Sequence, residues 1–254
     1  MILDLFKLNN KVALVTGAGR GLGQAMAVAL AEAGADVAGL DVLPLDETAA
    51  QVKALGRRFL PVSANLLEAH AADMTKVVEQ VVAGLGGLDI LVNNAGIIRR
   101  TPVLEFSEKD WDDVMQINLK AVFMLSQAAG RVMVERGKGK IINIASMLSF
   151  QGGIRVPSYA SSKHGIVGLT KSFAIGLGPF GINVNAIAPG FMATDLTLPL
   201  QQDPERNASI LKRIPVGRWG RGDDLKGALI FLASPLSDYV NGAVIPVDGG
   251  WLTS

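Results

Sequence analysis

Residues 11–23 read KVALVTGAGRGLG, and this stretch decides the fold. Residues 11–16 form a β-branched, largely apolar run of strand length, and residues 21–33 carry the spacing of a helix. Between them the chain turns on Gly17, Gly19, Gly21 and Gly23. Glycines at such a corner let the backbone approach a pyrophosphate closely, and the following helix N-terminus meets its charge. The spacing is TGxxxGxG; Leu22 stands where the GxGxxG pattern has its last glycine. Twenty residues after Gly21, Asp41 ends the next apolar run, DVAGLD (36–41), placed to accept hydrogen bonds from an adenosine ribose.

Outward from this corner the same alternation continues. Strand-like runs stand at 11–16, 36–41, 58–63, 88–93, 140–146, 182–188 and 243–248. Helical patterns occupy 21–33, 68–84, 108–135, 157–177 and 223–233. Runs that are apolar throughout suit a parallel sheet covered on both faces, and the alternation implies βαβ crossovers. The expected fold is therefore α/β, a doubly wound Rossmann-type domain spanning 1–254. Residues 189–214 are too long for a simple connection and read as a lid over a binding site.

Composition narrows the function classes. Of 254 residues, 49% are hydrophobic and 19% charged, enough for a large core, and the net charge of +1 gives no bias toward nucleic acid or an anionic membrane. No apolar stretch is long enough to span a membrane, and MILDLFKLNN lacks the features of a signal peptide. With no cysteine and only His70 and His164, neither thiol chemistry nor a metal site is expected. These features point to a cytoplasmic enzyme.

The chain has two tyrosines, and Tyr159 lies four residues before Lys163 in PSYASSKHG (157–165). Residues at that spacing share a helical face, so a phenol and an ammonium can line one cleft. Bringing a tyrosine from about 10 to about 7 takes roughly 4 kcal/mol. An ammonium ~4 Å away supplies about that much at an effective dielectric near 20. Tyr159 then reads as a general base for alcohol oxidation and a general acid for ketone reduction. Ser146 ends a buried strand, where ligand-facing residues of such sheets sit. No GxSxG elbow marks it as a nucleophile.

Together TGAGRGLG (16–23), NNAG (93–96), Asn118 in MQINLK, Ser146 in NIAS, YASSK (159–163) and PG (189–190) followed by Thr194 resemble the short-chain dehydrogenase/reductase family over essentially the whole chain. The resemblance implies a seven-stranded parallel sheet and a nicotinamide cofactor. It also implies a catalytic tetrad of Asn118, Ser146, Tyr159 and Lys163, in which Asn118 and Lys163 relay protons. Cofactor contacts would come from Gly17, Arg20, Gly21, Leu22 and Gly23, from Asp41, and from Asn65 and Leu66 after the third strand. Asn94, Ala95, Gly96, Tyr159, Lys163, Pro189, Gly190, Met192 and Thr194 complete that set. Asn65 departs from the aspartate usual in the family and would hold the adenine amino group without charge assistance. NAD is expected over NADP because Asp41 would repel a 2′-phosphate, although Arg20 argues the other way.

Further stretches, among them LVNNAGIIRR and KIINIASMLSFQGGIRVPSYASSK, are similar to sugar-acid dehydrogenases of that family. Ser146 and Tyr159 would hold the reacting oxygen, and Arg100 and Arg155 are candidates for the carboxylate, because a guanidinium binds one through paired hydrogen bonds. An acyl-carrier-protein reductase and a non-catalytic nucleotide sensor are the alternatives. The 157–177 helix shows a second apolar stripe, Ile166, Leu169, Phe173 and Leu177, from which a homotetramer is expected.

Overall fold

Strand β1 (Val12–Thr16) is buried at every position and is an interior strand of one parallel sheet. The computed structural model describes residues 1–253. The other strands are β2 (Asp36–Asp41), β3 (Phe59–Ser63), β4 (Ile90–Asn93), β5 (Gly139–Ile144), β6 (Ile182–Pro189) and β7 (Val244–Val247). Their spatial order is β3-β2-β1-β4-β5-β6-β7, with every pairing parallel. The chain thus leaves β1 toward one edge and returns past it to β4. That reversal opens a crevice at the carboxyl ends of β1 and β4, where ligands bind in such sheets.

Nine α-helices lie among the described residues: α1 (Gly21–Glu32), α2 (Asp46–Ala54), α3 (Ala71–Leu85), α4 (Glu108–Met115), α5 (Ala121–Arg136), α6 (Pro157–Leu177), α7 (Leu198–Gln202), α8 (Pro204–Arg213) and α9 (Gly222–Ala233). Alternate residues of β1 serve opposite faces, as the two-residue period of a strand requires. Ala13 and Val15 join Leu30 of α1 and Leu225 and Leu229 of α9, while Val12 and Leu14 join Val78 of α3 and Leu125 and Met133 of α5. Both faces of the sheet are covered, which is why its strands read as unbroken apolar runs. Pro61 falls in β3, at the sheet edge, where a missing N–H is tolerated.

Three features differ from the sequence expectation. Helix α2 had no counterpart in it: its acidic, polar segment lacks an apolar stripe, and only Thr48 and Val52 are buried. The single helix expected over 108–135 is α4 and α5 joined by a π-turn at Gln116–Lys120. The long 189–214 segment is ordered into a short 3-10 turn (Asp195–Thr197), α7 and α8. Asp203 caps α8 by accepting from the backbone N–H groups of Glu205 and Arg206, each at 3.1 Å.

Candidate active site

The glycine corner is held by side chains whose positions its sequence requires. Thr16, the last residue of β1, accepts from the N–H groups of Asn94 (3.0 Å) and Ala95 (2.9 Å). Asn94 returns a bond from Nδ2 to the Thr16 carbonyl at 2.9 Å, so the turn after β4 is sewn to the turn after β1. Gly17 and Gly21 have φ of +66° and +58°, in the left-handed region that favours glycine. A Cβ on Gly23 would stand 1.9 Å from the Gly17 carbonyl oxygen, so the helix approaches the loop too closely for any side chain. Leu22, half-buried, meets no such limit and packs against the α1–α9 core. Helix α1 begins without a side-chain cap. Its first N–H groups therefore face the crevice unpaired within the helix, a donor set that suits phosphate oxygens.

Asp41, at the end of β2, accepts from Gly19 N (2.8 Å) and Leu43 N (3.0 Å) and so ties the loop to the second strand. Its carboxylate keeps further lone pairs for ribose hydroxyls. Behind the loop, Thr48 of α2 donates to the Ala18 carbonyl at 2.7 Å and accepts from Gln24 at 3.1 Å. No sequence signal marked Thr48; a threonine in a polar helix is indistinguishable from its neighbours until its burial is known. Asn65 is exposed, and its Oδ1 accepts from Leu67 N at 3.1 Å, leaving one lone pair for another donor.

A cleft of about 690 Å³ runs from this loop across the sheet edge and is lined by every residue expected to touch a dinucleotide. Gly17, Arg20, Gly21, Leu22, Gly23, Asp41, Asn65, Leu66, Asn94, Ala95, Gly96, Pro189, Gly190, Met192 and Thr194 all line it. So do Ser146, Tyr159, Lys163 and Arg100. The glycine cradle, the uncapped helix and the acid at the β2 end fit a dinucleotide.

At the inner end stand Ser146, Tyr159 and Lys163. Ser146 follows β5, and its hydroxyl accepts from Leu148 N at 3.1 Å, which leaves its proton for a ligand oxygen or the phenol. Tyr159 opens α6, and Pro157 suits the first position of that helix. Lys163, one turn on, is 5% exposed and donates to the Ile144 carbonyl at 2.6 Å. Burial draws its pKa from 10.5 down to about 8. Its Nζ lies 5.6 Å from the centre of the Tyr159 ring. Ser149, which the sequence reading did not single out, bridges the two arms: it accepts from Ser146 N (3.2 Å) and donates to the Lys163 carbonyl (2.7 Å).

The electrostatics at the phenol correct one expectation. Burial raises the Tyr159 pKa above 10.0, and a hydrogen bond with Ser146 and the charge of Arg100 pull it the other way. Lys163 is turned to the Ile144 carbonyl, with its Nζ over the Tyr159 ring. Arg100, which the sequence had suggested only for a carboxylate, also acts on the phenol.

Asn118 sits in the π-turn, 1% exposed. It accepts from Ile97 N and donates to Ile97 O, both at 2.9 Å, and reaches Ser162 at 3.3 Å. It thereby fastens the loop after β4 to α6 beside Lys163. Such turns recur at functional sites.

The two candidate arginines part company. Arg100 reaches across the cleft and donates to the Leu196 carbonyl at 3.1 Å. Arg155 is not among the cleft residues. Its φ is +63°, its side chain is exposed, and its carbonyl accepts from Thr101 N at 3.0 Å. Arg99 is held by Asp110 at 3.2 Å and Asp113 at 3.9 Å on α4.

Comparison with known proteins agrees with this architecture. Residues 11–205 match the family model described as short chain dehydrogenase. The chain is 57% identical over 253 residues to 2-dehydro-3-deoxy-D-gluconate 5-dehydrogenase of Escherichia coli strain K12, covering 99% of each protein. A crystal structure from Agrobacterium tumefaciens with bound NADP is 49% identical and superposes with a TM-score of 0.91, covering 98% of this chain and 99% of that one. A gluconate 5-dehydrogenase from Burkholderia cenocepacia, solved with NADP and tartrate, is 39% identical with a TM-score of 0.94 over 100% of both chains.

Proposed function

The chain belongs to the short-chain dehydrogenase family, and from that premise we propose that it interconverts a secondary alcohol and a ketone on a six-carbon sugar acid, foremost 2-dehydro-3-deoxy-D-gluconate, with NAD. One juxtaposition carries this reading beyond the family. Arg100 stands at the inner end of the cleft, near enough for its charge to act on the Tyr159 phenol. A substrate whose hydroxyl meets Tyr159 then has a guanidinium within its own length, and a carboxylate is the group it would bind most strongly. The names of the similar proteins, 2-dehydro-3-deoxy-D-gluconate and gluconate 5-dehydrogenases, support the same class.

The loop of Gly17–Gly23, Asp41 and the Asn94–Gly96 turn would hold the dinucleotide, with Lys163 at its inner end. When bound, the dinucleotide would supply the hydride acceptor for oxidation of the alcohol and the hydride donor for reduction of the ketone. In oxidation, Tyr159 takes the hydroxyl proton, and in reduction it donates a proton to the ketone oxygen. Ser146 donates to that same oxygen and orients it, its own oxygen being occupied by Leu148 N. Lys163 favours the phenolate as the site closes, because its charge acts with less screening once water is excluded. Asn118 keeps the Ile97 loop and α6 at fixed spacing while protons move.

Residues 189–214 act as the lid, docked through the Arg100–Leu196 contact. NAD is preferred because Asp41 opposes a 2′-phosphate, although the Agrobacterium and Burkholderia relatives were solved with NADP. The enzyme works in the cytoplasm as a homotetramer. Absorbance of the reduced nucleotide, followed over a panel of sugar acids and acetoacetyl thioesters with each nucleotide, tests the assignment. Turnover of 2-dehydro-3-deoxy-D-gluconate or its reduced partner with NAD is expected. Turnover confined to thioesters would replace it with an acyl reductase, and turnover of nothing on the panel would favour a nucleotide sensor.

A further inference from the structure

Arg20 and Asp195 meet across the mouth of the cleft. Arg20 precedes α1 at the glycine corner, and Asp195 lies 175 residues later in the lid segment, with Nη1 and Oδ2 3.0 Å apart. Both side chains are exposed, and among the described residues neither makes another side-chain hydrogen bond or ion pair. The Thr194 side chain also comes near here, its Cγ2 lying 4.0 Å from a Cβ built on Gly21. Asp41, on the other side of the loop, directs its carboxylate to Gly19 N and Leu43 N and leaves Arg20 alone.

These placements bear on how two nucleotides differing by one phosphate are told apart. Arg20, Asp41 and Asp195 all line the same cleft. Asp41 at the β2 end is the group a ribose 2′ position would meet. Arg20 is the loop's cation, and its guanidinium would bind a 2′-phosphate with two parallel bonds if it were free to turn toward it. We propose that Asp195 is a specificity-determining residue for the cofactor: by engaging Arg20 at the lid it withholds that cation from a 2′-phosphate. Selection for NAD is thus shared between Asp41, which repels the phosphate, and Asp195, which competes for its counter-ion. The proposal rests on the dinucleotide-binding reading above and deepens it.

An exposed ion pair is weak, so the effect is modest. Calorimetric titration of the full-length protein with NAD and with NADP measures it without turnover. Asp195→Asn should tighten NADP binding roughly two- to fivefold, the range an exposed pair can contribute, and leave NAD within error. Asp195→Ala should do the same. In an Arg20→Gln background the Asp195 substitutions should have no effect on the ratio of the two dissociation constants. Equal changes for both nucleotides, an unchanged ratio, or a shift that persists without Arg20 would each overturn the assignment. Failure of the wild type to bind either nucleotide would instead overturn the dinucleotide reading itself.

Discussion

Lys163 is a charge the fold holds at a cost. Its ammonium donates to the Ile144 carbonyl, and burial brings its pKa from 10.5 to about 8. At 1.36 kcal/mol per pH unit that interval corresponds to about 3 kcal/mol of stability forgone where both folded and unfolded chains carry the proton. The cost is full below about pH 8 and is relieved as pH rises toward 10.5, because there the folded chain has lost a proton the unfolded chain retains. Lys163→Met should therefore melt higher than the wild type at neutral pH, by an amount that shrinks as pH approaches 10. A variant less stable than the wild type at pH 7 would show that the Ile144 bond outweighs desolvation. Arg100 acts in the opposite sense on Tyr159, pulling a burial-raised pKa downward. Removing it in Arg100→Ala should move the alkaline rise of kcat/KM for alcohol oxidation to higher pH, besides weakening acid substrates about 30- to 1,000-fold relative to uncharged analogues. A pH profile that does not move would separate Arg100 from the phenol.

At the scale of elements, the corner between β1 and α1 is the most constrained piece of backbone in the cleft. A Cβ at Gly23 would lie 1.9 Å from the Gly17 carbonyl oxygen. Gly23→Ala must displace loop or helix, and calorimetry should find dinucleotide binding weakened at least tenfold. Leu22→Ala loses packing and should bind nearly as the wild type does. Equal binding by both variants would mean the loop is not the phosphate site. This corner was legible in the sequence because glycine spacing, strand period and the acid at Asp41 are local signals. The π-turn at Gln116–Lys120 was not, since nothing local distinguishes it from continuous helix. Asn118 is locked by Ile97, a partner 21 residues away. Ser149 and Thr48 likewise act through contacts between distant elements. Arg155 misled for the converse reason: nearness to Tyr159 along the chain did not carry it into the cleft, and its side chain is exposed instead.

For the molecule as a whole, one apolar groove lies away from the crevice. A groove of about 850 Å³ between α4–α5 and α6 is lined by Leu119, Phe123 and Leu169, with Gly165, Gly168 and Ser172 offering small side chains. Phe123 is 41% exposed and meets Phe173 edge-on at 5.9 Å. Most of the α6 stripe read from sequence is covered within the chain, for Ile166 is buried against Ala186 and Phe173 packs on the α3–α5 core. The open face is thus Phe123, Leu119 and Leu169, and a second copy of the chain is its proposed occupant. Light scattering should report a tetramer for the wild type and a smaller species for Phe123→Asp; a wild-type monomer would refute the assembly. The central claim concerns the cleft, and stopped-flow absorbance of reduced nucleotide in Tyr159→Phe tests it most directly, with NAD binding titrated on the same sample. In the proposed mechanism the phenol acts on the substrate's proton and not on the nucleotide's phosphates. The variant should therefore bind NAD within about twofold of the wild type and oxidise the sugar acid at least 100-fold more slowly, as loss of a general base does. Oxidation near the wild-type rate with binding intact would contradict the account.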